Sequence, residues 1–231
     1  MIGIEEQIDL LKLIGTEMKK QTECVIIGGS AMLFYGLKSA TKDVDIVFFS
    51  ESDRKAFIRT AEDIGFGQIN RIGDYKAGTP VIMERKNARM DLFINEIVSF
   101  RLSPGIMSRI KEKHEFGKLT ADIISPEDII LLKCATDRAG DRKDASDLIA
   151  KFPINWDSII NESAWQTQNG KKVFSVFLFD FLEELKETYK AEIPNGIIRK
   201  TRKLAETEMM KALGKNKIAD LERFSPEPKQ R

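Results

Sequence analysis

The chain has 231 residues, 42% of them apolar, and a net charge of +1. It can bury one sizeable core, or a core with a helical appendage, and it lacks the global basic field that advertises nucleic acid. No apolar run reaches bilayer length and the acidic Glu5 and Glu6 stand where a secretory leader would be basic, so a cytoplasmic protein with no membrane partner is expected.

Residues 3–19 place Ile4, Ile8, Leu11 and Ile14 at helical spacing, which predicts an opening helix. An apolar strand over 23–27 then runs into Gly28-Gly29-Ser30, with a helix over 29–36 and a strand over 43–49 behind it. In that second strand Asp43 and Asp45 alternate with Val44, Ile46, Val47 and Phe48. Residues two apart on a strand share a face, so both carboxylates point the same way at the strand start, beside the glycine turn if the two strands pair. Two like charges that close repel unless a cation joins them. The donors suit a hard divalent ion, Mg2+ or Mn2+, carrying a phosphate, and a glycine-rich turn opening a helix is a natural seat for that phosphate. Gly-Gly pairs and Asp-x-Asp triplets each occur by chance in many chains; what points to metal-assisted nucleotidyl transfer is their order, strand, turn, helix, strand.

Ser50 caps a predicted helix over 51–64, in which Phe57, Ile58, Ala61 and Ile64 recur at helical spacing. Strands are predicted near 66–71, 80–85 and 88–94, with a hairpin loop over 74–79 near the site. The last strand alternates Met90, Leu92 and Ile94 with Arg89, Asp91 and Phe93. An aspartate in so core-like a strand is costly unless paired or bound to metal. Asp91 is therefore a candidate third carboxylate, able to act as general base on an attacking hydroxyl. The alternatives are an exposed edge-strand face or a salt bridge to Arg89 or Lys86.

Cys24 and Cys134, far apart in sequence and in apolar settings, read as buried thiols of a reducing compartment. His114, the lone histidine, sits in the charged stretch 111–115 and reads as solvated, which disfavours a His-based zinc site and a Ser-His-Asp triad. A strand over 118–124 leads to Ser125-Pro126-Glu127-Asp128, a strong helix start, and the helix runs over 127–136 with Lys133 on one face. Two domains are expected, a core over 1–125 and a helical part over 126–231. The mixed-sign run 137–144, which contains Arg142, reads either as a solvated cap or as a contact to nucleotide phosphate. Asp144 and Asp147 are candidates to hold Lys133 or Arg142 in place. Beyond Pro153, Phe174, Phe177, Leu178, Phe181, Leu182 and Leu185 form an apolar stripe that reads as core. Arg199, Lys200, Arg202 and Lys203 form a basic cluster, read first as a solvated helix face and second as a grip on an RNA backbone. The last seven residues, 225–231, read as disordered.

The motif pair Gly28-Gly29-Ser30-Ala31 and Thr41-Lys42-Asp43-Val44-Asp45, followed by the distant Asp91, resembles the nucleotidyltransferase superfamily with the DNA polymerase beta-like core. Gly36 and the later Arg142-Lys143-Asp144 run make it look most like the abortive-infection (AbiEii-type) toxin nucleotidyltransferases. The resemblance covers about residues 20–150. It departs at Lys38, where arginine is common, and in the tighter spacing of the Arg142 run. The resemblance implies an α+β fold, a small mixed sheet with helices on one face, followed by a helical C-terminal part. It implies transfer of a nucleoside monophosphate from an NTP to an acceptor hydroxyl of an RNA 3' end, such as tRNA, of a protein or of a small molecule. By the same resemblance Asp43, Asp45 and Asp91 hold the metal, and Gly28, Gly29, Ser30, Lys133 and Arg142 contact the nucleotide. A toxin-like enzyme would also have an antitoxin partner. The alternative is a non-catalytic nucleotide-binding or antitoxin-like module on the same fold.

Overall fold

A computed structural model of the chain describes residues 1–69, 79–97, 99–215 and 217–224. The hairpin loop expected at 74–79, apart from Thr79, and the tail 225–231 lie outside the described residues. The chain divides into two compact units, Met1–Ser125 and Pro126–Arg231.

The first unit is built on a mixed sheet. Its strands are β1 (Thr22–Ile26), β2 (Val44–Phe48), β3 (Gly67–Gln68), β4 (Val81–Arg85), β5 (Ala88–Ile94), β8 (Glu112–Phe116) and β9 (Leu119–Ile123), in the spatial order β3-β4-β5-β2-β1-β9-β8. Two-residue strands β6 (Glu96–Ile97) and β7 (Phe100–Arg101) branch from β5. β2 runs parallel to β5 and antiparallel to β1, and β1 runs parallel to β9.

Helices pack on one face of this sheet. The Phe57 ring of α3 (Glu51–Asp63) lies 5.2 Å from that of Phe48. Helix α1 (Ile4–Glu17) crosses β8 and β9 so closely that a Cβ on Gly15 would lie 1.6 Å from the Phe116 carbonyl oxygen and 3.1 Å from Leu119 Cβ. Phe48 and Leu119 are on the same sheet face, because Cys24 pairs with both Phe48 and Ala121. Asp45, Val47 and Asp91 project from the other face. The α+β fold expected from the resemblance is therefore the fold observed.

Three features differ from the sequence reading. The buried face of α1 is Gln7, Leu11 and Ile14 rather than a stripe through Ile8. The stretch around His114 is strand β8, and its imidazole is half-buried: it stacks on Phe34 at 4.7 Å and on Phe116 at 6.0 Å, with Nε2 2.7 Å from Glu112 Oε1. The short helix α4 (Pro104–Arg109), capped by Ser103 Oγ, which accepts from the Ile106 amide at 3.0 Å, was not foreseen.

The second unit is helical: α5 (Pro126–Lys133), α6 (Ala139–Lys151), α7 (Trp156–Asn169), α8 (Phe174–Glu187) and α9 (Asn195–Gly214), ending in a 3-10 turn at Ile218–Leu221. The stripe Phe174, Phe177, Leu178, Phe181, Leu182 and Leu185 is fully buried, as the spacing required. Among the described residues no helix is long and apolar enough to cross a membrane.

Candidate active site

The site grows from the end of β1. Ile27 caps α2 (Gly28–Phe34), and Gly28 adopts φ +60°, a left-handed conformation that glycine takes at little cost. A Cβ there would lie 2.9 Å from Asp45 Oδ2, and one on Gly29 would lie 2.7 Å from Thr41 Oγ1. The two glycines thus let the turn press against the carboxylate segment. Ser30, fully buried, ties the two together: its hydroxyl donates to the Asp43 carbonyl at 2.9 Å and accepts from the Asp45 amide at 3.2 Å. The Ile27 amide adds a bond to the Asp45 carbonyl at 3.2 Å. From beneath, Gln7 of α1 donates through Nε2 to the Ser30 carbonyl at 3.3 Å.

Asp45 and Asp91 are register partners on the parallel strands β2 and β5. Adjacent strands lie about 4.8 Å apart and partners point to the same face, so these two carboxylates stand side by side. Asp43 is one residue before β2, two residues from Asp45.

Asp91 is 8% exposed and takes a forked ion pair from Arg89, two residues earlier on the same strand face. Arg89 Nε reaches Oδ1 at 2.7 Å and Nη2 reaches Oδ2 at 2.9 Å. The hydrogen bond to Asp91 pushes the guanidinium pKa up despite partial burial, with the charges of Asp91, Asp43 and Glu84 adding to it. The salt bridge posed as an alternative for Asp91 is therefore present. Arg89 is also 4.0 Å from Glu84 Oε1.

Among the described residues no three His, Cys, Asp or Glu side chains are grouped, as placed, to hold a metal ion. The donor chemistry nonetheless suits a hard divalent cation: Asp43 and Asp45 are hard carboxylate oxygen donors, and Gly28, lacking a Cβ, lets the turn come up against Asp45 Oδ2. Asp91 lies alongside, with both oxygens engaged by Arg89.

Lys133 and Arg142 belong to the second unit and are buried in it. Lys133 Nζ bonds Asp141 Oδ1 at 2.7 Å and Asp144 Oδ2 at 2.6 Å, so Asp144 holds Lys133, as anticipated. Asp141 also engages Thr136 Oγ1 and Arg138 Nε, the latter at 3.0 Å. Burial pushes the Asp141 carboxyl pKa up, but Lys133, Thr136 and Arg138 outweigh it and hold it below the ordinary value. Arg142 bonds Glu184 Oε2 at 3.0 Å and the Thr136 carbonyl at 2.6 Å, and lies 5.3 Å over the Phe181 ring. Asp147 pairs instead with Lys143 at 2.6 Å. In the basic cluster of α9, Lys200 pairs with Asp157 at 2.5 Å and Arg202 with Glu183 at 2.6 Å, as on a solvated face.

Sequence reasoning missed Gln7 and the close approach of Thr41 to Gly29. Gln7 had a signal, a polar side chain at a core position of an amphipathic helix. Thr41 stands in the motif 41–45, but its approach to Gly29 had no signal in the sequence.

Residues 7–161, well over half of the chain, match the family described as "Nucleotidyl transferase of unknown function (DUF2204)". No curated protein matches the chain. Among solved structures, ANT(2'')-Ia in complex with adenylyl-2''-tobramycin is 18% identical with a TM-score of 0.42, covering 77% of this chain and 98% of its own. JHP933 from Helicobacter pylori is 13% identical, TM-score 0.42, covering 93% and 96%. An antigenic nucleotidyltransferase-like protein from Paracoccidioides brasiliensis is 15% identical, TM-score 0.44, covering 85% and 98%. These values are low, and the family match carries the assignment.

Proposed function

The chain belongs to the nucleotidyl transferase family matched by its residues 7–161, and from that premise we propose that the face of the first unit bearing Asp43, Asp45 and Asp91 carries the transfer. The observation that carries this reading is the pairing of Asp45 with Asp91 across parallel strands, beside a Gly28 whose Cβ, if it had one, would lie 2.9 Å from Asp45 Oδ2.

In the proposed reaction the triphosphate lies over Gly28-Gly29-Ser30, where the turn backbone offers N–H groups to its oxygens. Asp43 and Asp45 hold a divalent ion, Mg2+ or Mn2+, which when bound neutralises charge on the triphosphate. Asp91 takes the proton from the acceptor hydroxyl as that oxygen forms its bond to the alpha phosphorus. The bond from that phosphorus to the bridging oxygen breaks in line, and pyrophosphate leaves with the electron pair. The side chains do no covalent chemistry, so positioning and charge complementarity supply most of the rate. Ser30, bonded to both Asp43 and Asp45, fixes the turn against the carboxylates.

Lys133 and Arg142, expected as nucleotide contacts, are engaged by carboxylates within their own unit, so their loss is expected to act first on folding. A toxin-like enzyme would take an RNA acceptor, and the tRNA 3' end is the first to try, with an antitoxin as the expected partner. One observation favours the second reading, a nucleotide-binding module without turnover: Asp91 is neutralised by Arg89.

The test incubates the protein with each alpha-labelled NTP, Mg2+ or Mn2+, total RNA and a protein extract. The proposal expects label in an acceptor band, lost in Asp43→Ala/Asp45→Ala. Metal-dependent nucleotide binding with no transfer would favour the module. Transfer that survives the double substitution would rule the site out.

A further inference from the structure

We propose that Arg89 is a placeholder cation: it holds Asp91 while no metal is bound and moves to Glu84 when a divalent ion arrives. The proposal rests on the reading of Asp43, Asp45 and Asp91 as a metal and nucleotide site. Three observations carry it. First, Arg89 occupies both Asp91 oxygens, at 2.7 and 2.9 Å, so a cation reaching Asp91 has to displace at least one of these bonds. Second, a destination is already in place. Glu84 is the cross-strand partner of Arg89 on β4, and its Oε1 is 4.0 Å from Nη1, so a small swing trades one carboxylate for the other. Third, the side chain can make that move, because Arg89 is 32% exposed and Glu84 45% exposed, whereas Asp91 is held in the strand at 11%.

The physical reason for such a device is charge. Asp45 and Asp91 stand side by side on paired strands, and two like charges that close repel one another. A guanidinium that pairs with Asp91 offsets one of these charges, and the forked pair also fixes the orientation of Asp91. The same pairing lowers the affinity of these carboxylates for a metal ion, because a cation must compete with an intramolecular one. Arg89 is thus a positioning residue that acts through Asp91, and the site would fill most readily when an NTP brings its own ion.

The experiment measures Mn2+ binding to the full chain without nucleotide, by the electron paramagnetic resonance signal of free Mn2+. It compares wild type, Arg89→Gln, Arg89→Lys, Glu84→Gln and Asp45→Asn, each checked for folding by circular dichroism. The expected result is tighter binding in Arg89→Gln, by about twofold to fivefold, the scale set by losing a partly exposed charge pair. Arg89→Lys, which keeps the charge but not the fork, is expected to fall between it and wild type. Glu84→Gln removes the destination and is expected to weaken Mn2+ binding. Should Arg89→Gln fail to fold, the opposite shifts of Arg89→Lys and Glu84→Gln decide alone. Mn2+ affinity that is unchanged or weaker in the Arg89 variants, with Asp45→Asn abolishing binding, would overturn the placeholder and leave the metal site standing. Mn2+ binding undisturbed in Asp45→Asn would instead mean that the site reading is wrong.

Discussion

Gly28 shows how narrowly the site is specified at the level of single residues. Its φ of +60° disfavours an L side chain, and a Cβ there would lie 2.9 Å from Asp45 Oδ2, so that the carboxylate would have to shift. Gly28→Ala would incur about 1–2 kcal/mol of left-handed strain and push Asp45 aside as well. The expected outcome is a protein that folds but binds NTP at least about tenfold more weakly, as isothermal titration would record. Asp91→Asn keeps shape and removes the proposed base, so it is expected to lower transfer about a hundredfold or more while nucleotide binding persists. Asp45 and Asp91 could be read in the sequence because each interrupts an alternating apolar strand, whereas Asp43, expected on the same strand as Asp45, lies one residue before it. The Arg89 fork was legible only as one of two possible pairings for Asp91, since a strand places residues two apart together but does not say which cation a carboxylate takes. Gln7 was hidden by a helix whose apolar stripe could be drawn through Ile8 as easily.

At the level of elements, strong patterns gave α3, β2, β5, β9 and the buried stripe of α8, where spacing and capping agree. Strand β8 was missed because its sequence, Glu-Lys-His-Glu-Phe, is an edge of alternating charge that looks like a solvated coil until β9 pairs with it. Two packing sites permit sharp tests. Gly15→Ala would put a Cβ 1.6 Å from the Phe116 carbonyl oxygen, and the expected loss is about 3 kcal/mol, read by urea denaturation. Lys133→Met would strand Asp141 and Asp144 without their shared cation, which for a buried pair destabilises by about 3–5 kcal/mol. Trp156 and Trp165 are both on α7 of the same unit, so tryptophan fluorescence reports its unfolding. The pH dependence has a definite sign. The Asp141 carboxyl lies below its ordinary value in the folded protein, so its contribution is present above about pH 4 and is lost as pH falls through the folded value. In Lys133→Met the order reverses: the carboxylates that have lost the lysine destabilise most at neutral pH, and acid relieves them by protonation.

Over the whole molecule, the order strand, glycine turn, helix, Asp-x-Asp and a later strand aspartate carried enough information to reach the nucleotidyl transferase family, because that order fixes which strands must lie side by side. The acceptor was not legible, since it depends on surfaces whose residues carry no motif; the basic cluster of α9 is partly spent on Asp157 and Glu183. The central claim is that transfer depends on the Asp43, Asp45 and Asp91 group and not on acidic charge on that sheet face in general. Asp122 supplies the control: it lies on β9, is register partner of Val25, and is 3% exposed and 3.3 Å from Lys113. The deciding measurement is the rate of label transfer from alpha-labelled NTP in wild type, Asp45→Asn and Asp122→Asn, side by side with Mn2+. The account expects Asp45→Asn to lose transfer by about a hundredfold or more and Asp122→Asn to keep it. Equal loss in both, or no loss in Asp45→Asn, would contradict it.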